Sequence, residues 1–93
     1  MKCYLAGRIH GEPQYHEKFA QAAQWLRLQG FDVFNPAAAN QEGRSLKSIM
    51  AHLLPRVCEA EVIAMLPGWK KSSGANIEWL LAKYLKIRVI YLK

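Results

Sequence analysis

The sequence predicts an α/β protein: a Rossmann-like three-layer sandwich with a four-stranded parallel sheet, strand order 2-1-3-4, and three helices. Three observations lead there. Short apolar runs alternate with longer amphipathic segments in a regular β-α-β-α-β-α-β order. The runs are apolar on both faces, as strands covered on both sides require. Finally, right-handed crossovers leave 2-1-3-4 as the most economical arrangement, with a switch point between strands 1 and 3. The 93 residues make a single domain over 1–93.

Lys2-Cys3-Tyr4-Leu5-Ala6 is the first strand, closed by Gly7. Gly7 to Pro13 is a loop with two glycines and a proline. From about Gln14 to Gln29, Tyr15, Phe19, Ala22, Ala23 and Leu26 recur at helical spacing, and Gly30 is placed to end the helix. Phe31 to Phe34 is the second strand, stopped by Asn35-Pro36. Residues 37–44 lack periodicity and are expected to be a loop. Ser45 is placed to cap a second helix, whose Leu46, Ile49, Met50, Leu53, Leu54 and Val57 follow one face. Pro55 lies inside that pattern and is expected to kink or restart the helix. Glu61 to Leu66 reads as the central strand. The last helix is expected from about Ser73 to Leu85 with Ile77, Leu80, Leu81 and Tyr84 as its apolar stripe, before a final strand Arg88 to Leu92.

Hydrophobic residues make up 52% of the chain, enough for a small core, and an oligomer interface would help a domain of this size. The formal charge of +6 fits either a soluble basic surface or a small anionic partner. The basic residues are scattered, and no RNA-recognition, zinc or helix-turn-helix pattern is present, which argues against nucleic acid as the partner. Cys3 and Cys58 form no CxxC, so two buried thiols in a reducing cytoplasm are expected. The run Met1 to Ala6 is too short for a secretory leader, and no stretch approaches the roughly 20 apolar residues of a membrane span. A cytoplasmic protein is the expectation.

In an open parallel sheet, ligands bind beyond the carboxyl ends of the strands. The loop Pro67 to Gly74 has the parts of an anion site there: Gly68 and Gly74, Trp69, Lys70 and Lys71, and Ser72 or Ser73 at a helix N-terminus. It lacks the Walker A order, and Gly7 and Gly11 do not make a dinucleotide fingerprint. An ordinary serine-capped loop explains the same residues. Arg8 and His10 in the first loop and Asn35 after strand 2 would share that edge. Trp69 beside it could stack on a base or pack in the core. Glu78 lies one turn into the last helix with no cation at its i±3 or i±4 positions, so it is not half of a helical ion pair. A carboxylate there could attack a sugar carbon, although exposed helical glutamates are common. His10, His16 and His52 have no metal-ligand spacing, and neither a metal nor a cofactor is expected.

Tyr4-Leu5-Ala6-Gly7, Asn35-Pro36, Leu66-Pro67-Gly68-Trp69 and Ser73-Gly74-Ala75 with Glu78 resemble the nucleoside 2-deoxyribosyltransferase superfamily over nearly the whole chain. They are most similar to a branch of short phage and prophage proteins. The resemblance implies that Glu78 is a nucleophile attacking C1′ of a deoxyribose, with Tyr4 orienting it. A second base (transferase) or water (hydrolase) would then resolve the glycosyl-enzyme. It further implies that Ser72 or Ser73, with Lys71, meets a 5′-phosphate, that Gly7 to His10 lie on the sugar side, and that the protein is a homo-oligomer. The related enzymes carry an aspartate where this chain has Leu53. Glycosyl transfer without acid help is slower by roughly 10²–10⁴-fold. The resemblance therefore leaves two readings: an enzyme acting on the N-glycosidic bond of a nucleoside or its 5′-monophosphate, and a nucleotide-binding module without turnover.

Overall fold

The computed structural model describes residues 1–38 and 43–93. Its four strands are β1 (Lys2–Ala6), β2 (Asp32–Phe34), β3 (Val62–Met65) and β4 (Arg88–Tyr91). The helices are α1 (Tyr15–Leu28), α2 (Leu46–Glu59) and α3 (Ser73–Tyr84). The sheet is parallel in the order β2-β1-β3-β4, as expected. Tyr4 pairs with Phe34 on one side and with Ile63 on the other. Part of the expected loop 37–44 lies outside the described residues, and Pro36–Ala38 form a short 3-10 turn at its start.

The alternation of side chains along each strand divides the core in two. Cys3 and Leu5 of β1 join Val62 and Ala64 of β3 beneath Phe19, Ala23 and Leu26 of α1. Tyr4 and Ala6 join Ile63 and Met65 beneath α2 and α3. The first strand therefore sends its tyrosine to the face covered by two helices.

Local chemistry explains the helix ends. The Glu12 carboxylate accepts from the Gln14 backbone N–H at 3.1 Å and from the Lys18 ammonium at 3.0 Å, tying down the start of α1. At its other end Gly30 adopts φ +95°, and the Phe31 N–H closes back onto the Leu26 carbonyl at 3.2 Å. Ser45 caps α2 through the Ser48 N–H at 3.1 Å. That helix does not restart at Pro55; it runs on to Glu59. Proline withholds a hydrogen bond from the Ala51 carbonyl, but Ala51 and Pro55 both lie on the exposed side, where water can supply it.

Two expectations about burial are corrected. Cys3 is buried, with its thiol pushed up to about 11 by that burial, but Cys58 is exposed. Most of the predicted stripe of α3 is not its inward face: Ile77, Leu80 and Tyr84 are exposed, Leu81 is half-buried against the core, and Ala75, Glu78 and Ala82 are buried. Small residues let α3 sit close over the sheet, above a floor already filled by Tyr4, Ile63 and Met65. The larger side chains consequently turn outward.

Candidate functional site

The site is built from one strand residue and one helix residue. Tyr4 is wholly buried at the centre of β1, on the face beneath α3. Phe34 of β2 stacks on its ring at a centroid distance of 5.6 Å, and the Arg56 guanidinium of α2 lies 5.4 Å from the Phe34 centroid. Ser72 starts α3: its Oγ accepts from the Ala75 N–H at 3.2 Å. The cap sets the helix rotation, and Glu78, 5% exposed, is the one buried charged residue among those described. The Tyr4 hydroxyl donates to Glu78 Oε2.

Burial pushes the Glu78 carboxyl up to about 7, and the hydrogen bond from Tyr4 pulls it partly back. Burial also pushes the Tyr4 phenol far above its ordinary range, with the neighbouring Glu78 charge adding to it. Tyr4 is therefore a fixed donor. Among the described residues no cation forms an ion pair with Glu78. Its charged form is held by one O–H, in a group balanced between acid and carboxylate near neutral pH. That balance suits a nucleophile or a proton carrier.

The loop before α3 is held by Asn76, a residue the sequence reading did not single out. Its side-chain amide donates to the carbonyl of Lys70 at 3.0 Å and to that of Ser72 at 2.7 Å. Its signal is only an Asn in the first turn of a helix, which is common. Phe34 was likewise missed, because its stacking on Tyr4 depends on strand pairing. Ser72, Ser73 and Gly74 stand at the α3 N-terminus, where the first N–H groups of a helix lack intrahelical partners. Glu78 follows within the same helix, little more than one turn further on.

The other candidates are placed differently. Gly7 is buried, and a Cβ there would come within 2.9 Å of Leu66 Cβ and 3.1 Å of Phe19 Cζ, so packing against α1 explains the glycine. Asn35 is spent on its own turn, its Oδ1 accepting from the Ala37 N–H at 3.0 Å. His10 is exposed, and its carbonyl accepts from Arg8 Nε at 3.2 Å. Trp69 is not an open stacking surface. It is buried, with Trp79 at 5.4 Å and Tyr91 at 6.3 Å between ring centroids. Gly68, at φ +85°, makes the turn that folds it back. Arg8, Gly68 and Lys71 line a groove on the α1 face, away from the Tyr4 ring. Leu53 is 4% exposed and packed in the core beneath α2.

Among solved structures, the fold is similar to that of a 2-deoxyribosyltransferase from Bacillus psychrosaccharolyticus, a biocatalyst for nucleoside synthesis. The TM-score is 0.78 and the identity 23%, covering 98% of this chain and 71% of that one. No curated protein matches the sequence. The likeness is one of fold, an α/β arrangement that in this chain is built on the four-stranded parallel sheet. Residues 1–91 match a domain of unknown function, DUF4406, and the chain belongs to that family.

Proposed function

We propose that the protein acts on the N-glycosidic bond of a deoxynucleoside or its 5′-monophosphate, with Glu78 as nucleophile and Tyr4 as the residue that orients it. The observation that carries this reading is the buried Tyr4–Glu78 hydrogen bond at the start of α3, in a fold shared with a 2-deoxyribosyltransferase. In the first step a Glu78 oxygen bonds to C1′ as the C1′–N bond breaks, and the electron pair leaves with the base, which takes a proton from water. In the second, water or another base attacks C1′ and frees the carboxylate. Ser72, Ser73 and the α3 N-terminus would receive a 5′-phosphate.

A panel of deoxynucleosides and their monophosphates, assayed for free base, tests the reading. Base release is expected, with Glu78→Ala reducing it by at least about 10³-fold. The rate should rise with pH as Glu78 ionises around 7, because only the carboxylate attacks. In Tyr4→Phe that limb should move to higher pH, since the lost hydrogen bond lowers the Glu78 pKa. A folded protein that leaves the whole panel intact would sink the proposal.

The buried Leu53 favours a second reading, a nucleotide-binding module without turnover. Stabilisation by intact nucleotides with no product formed would support it. In either case the exposed Ile77, Leu80 and Tyr84 on α3 give a homo-oligomer its contact surface. Sedimentation is expected to show a dimer that Leu80→Glu dissociates; a wild-type monomer at high concentration would remove this element.

A further inference from the structure

A groove of about 930 Å³ lies on the side of the sheet facing away from Tyr4 and Glu78. Its origin is topological. Among the described helices α2 and α3 pack on the Tyr4 face, and α1, with Ala37 of the 3-10 turn, packs on the other one. Parallel sheets ordinarily have both faces covered. Here Leu66 of the β3 end, with Ile90 and Leu92 of the β4 end, forms an apolar floor beside α1. Phe19, Ala22 and Trp25 of α1 make the wall, and the Trp25 indole is 53% exposed.

The groove is polarised along its length. Arg8 follows β1 and Lys71 follows β3, so both stand at the carboxyl edge of the sheet. α1 runs back from that edge, which puts Trp25 near its far end. Lys18, also at the cationic end, is neutralised by Glu12 at 3.0 Å. Glu12, which lines the same end, also attracts the Arg8 charge, but among the described residues neither Arg8 nor Lys71 forms a salt bridge. Arg8 is held in place by its own loop, with Nε bonded to the His10 carbonyl at 3.2 Å. The result is a fixed guanidinium and an ammonium at one end, an aliphatic floor, and an uncovered indole at the other.

We propose that this groove binds a small aromatic anion, its phosphate or carboxylate between Arg8 and Lys71 and its ring lying along Leu66 and Ile90 toward Trp25. The volume is within the range of about 300–1,000 Å³ typical of small-molecule pockets. One concentrated positive end and one flat aromatic face match a ligand with one charged head and one planar body. A guanidinium reads such a head through two parallel N–H donors. The site is independent of Glu78, because the sheet lies between them.

The probe is 1-naphthyl phosphate, with 1-naphthol and inorganic phosphate as partial ligands. Binding is read from the indole N–H resonances of the three tryptophans. Saturable one-to-one binding is expected, moving the Trp25 resonance. Trp69 and Trp79 stack together on the other face and should move less than Trp25, Trp79 sensing the ligand only through the 3.0 Å bond of its indole to the hydroxyl of Tyr91, which lines the groove. Arg8→Gln should weaken binding at least about ten-fold, as loss of a charge-assisted pair does. Ala22→Glu, on the half-buried side of α1, should abolish it without unfolding the chain. Glu78→Gln should leave it unchanged. Several results would overturn the proposal: a Trp25 resonance that does not move, equal affinity for 1-naphthol, or loss of binding in Glu78→Gln. So would a Trp25 resonance that shifts with protein concentration alone, since a second copy would then cover the groove.

Discussion

Glu78→Gln is expected to stabilise the protein at pH 8 and to make it slightly less stable at pH 5. The Glu78 carboxyl is raised from 4.5 to about 7 by burial. The folded chain therefore keeps a proton that the unfolded chain has already released between those values. By linkage, stability falls as pH climbs through that window and stays lower above it. A shift of this size corresponds to roughly 2–4 kcal/mol, since each unit is about 1.4 kcal/mol. Glutamine removes the charge and keeps a carbonyl oxygen for the Tyr4 hydroxyl, but its own burial costs part of the gain. A net rise of about 1–2 kcal/mol at pH 8 is expected, or roughly 4–15 °C in Tm for a domain of this size. Thermal unfolding of both proteins at pH 5 and pH 8 decides it. The same difference at both values would show that Glu78 does not titrate in this window. A variant less stable at pH 8 would show that the wild-type carboxylate is already well stabilised.

Stability gained where activity is lost is the signature of a residue kept for chemistry. A buried glutamate with one hydroxyl partner does not help the fold in its charged form. Either proposed reading of the site gives it a use: a nucleophile in the first, a ligand contact in the second. The pH experiment is independent of both, since it needs no substrate.

The sheet was legible because its apolar runs are unbroken and separated by glycine, proline and asparagine. Gly7, Gly30 and Asn35-Pro36 stand where the elements end. The rotation of α3 was not legible. Its large apolar residues outnumber its small ones on the outward face, and periodicity ranks size above fit. What turns Ala75, Glu78 and Ala82 inward is the bulk of Tyr4, Ile63 and Met65 beneath, which local sequence does not contain. The same holds for the site. Tyr4 and Glu78 meet across 74 positions of sequence, and each alone reads as an ordinary strand or helix residue. The strand order 2-1-3-4 puts the two stretches that hold them on facing sides of one crevice, and the family resemblance joins the two residues. For Trp69 the sequence left two readings, stacking on a base or packing in the core, and the turn at Gly68 folds it into an aromatic core with Trp79 and Tyr91.

Leu53→Asp is expected to unfold the protein near neutral pH. The family resemblance implies an aspartate at this position that assists the sugar or the leaving base, so the substitution asks whether such a carboxylate fits here. Leu53 packs with Ile49 and Val57 of its own helix, in the same core as Tyr4 and Ile63. Removing a buried leucine side chain costs about 2–5 kcal/mol. Placing a carboxylate there without a partner adds several kcal/mol more or forces it to stay protonated. Together these approach or exceed the roughly 5–15 kcal/mol that holds a small domain together. Urea unfolding should show little cooperative transition for Leu53→Asp at pH 7, with partial recovery near pH 4 as the new carboxyl becomes neutral. Leu53→Ala, losing only the packing, should remain folded with a lower midpoint. If Leu53→Asp instead folds normally and releases base faster, the position faces a ligand cavity and the packing argument fails. If it unfolds, α2 has no place for a carboxylate at residue 53, and any base leaving this site takes its proton from water or from another residue.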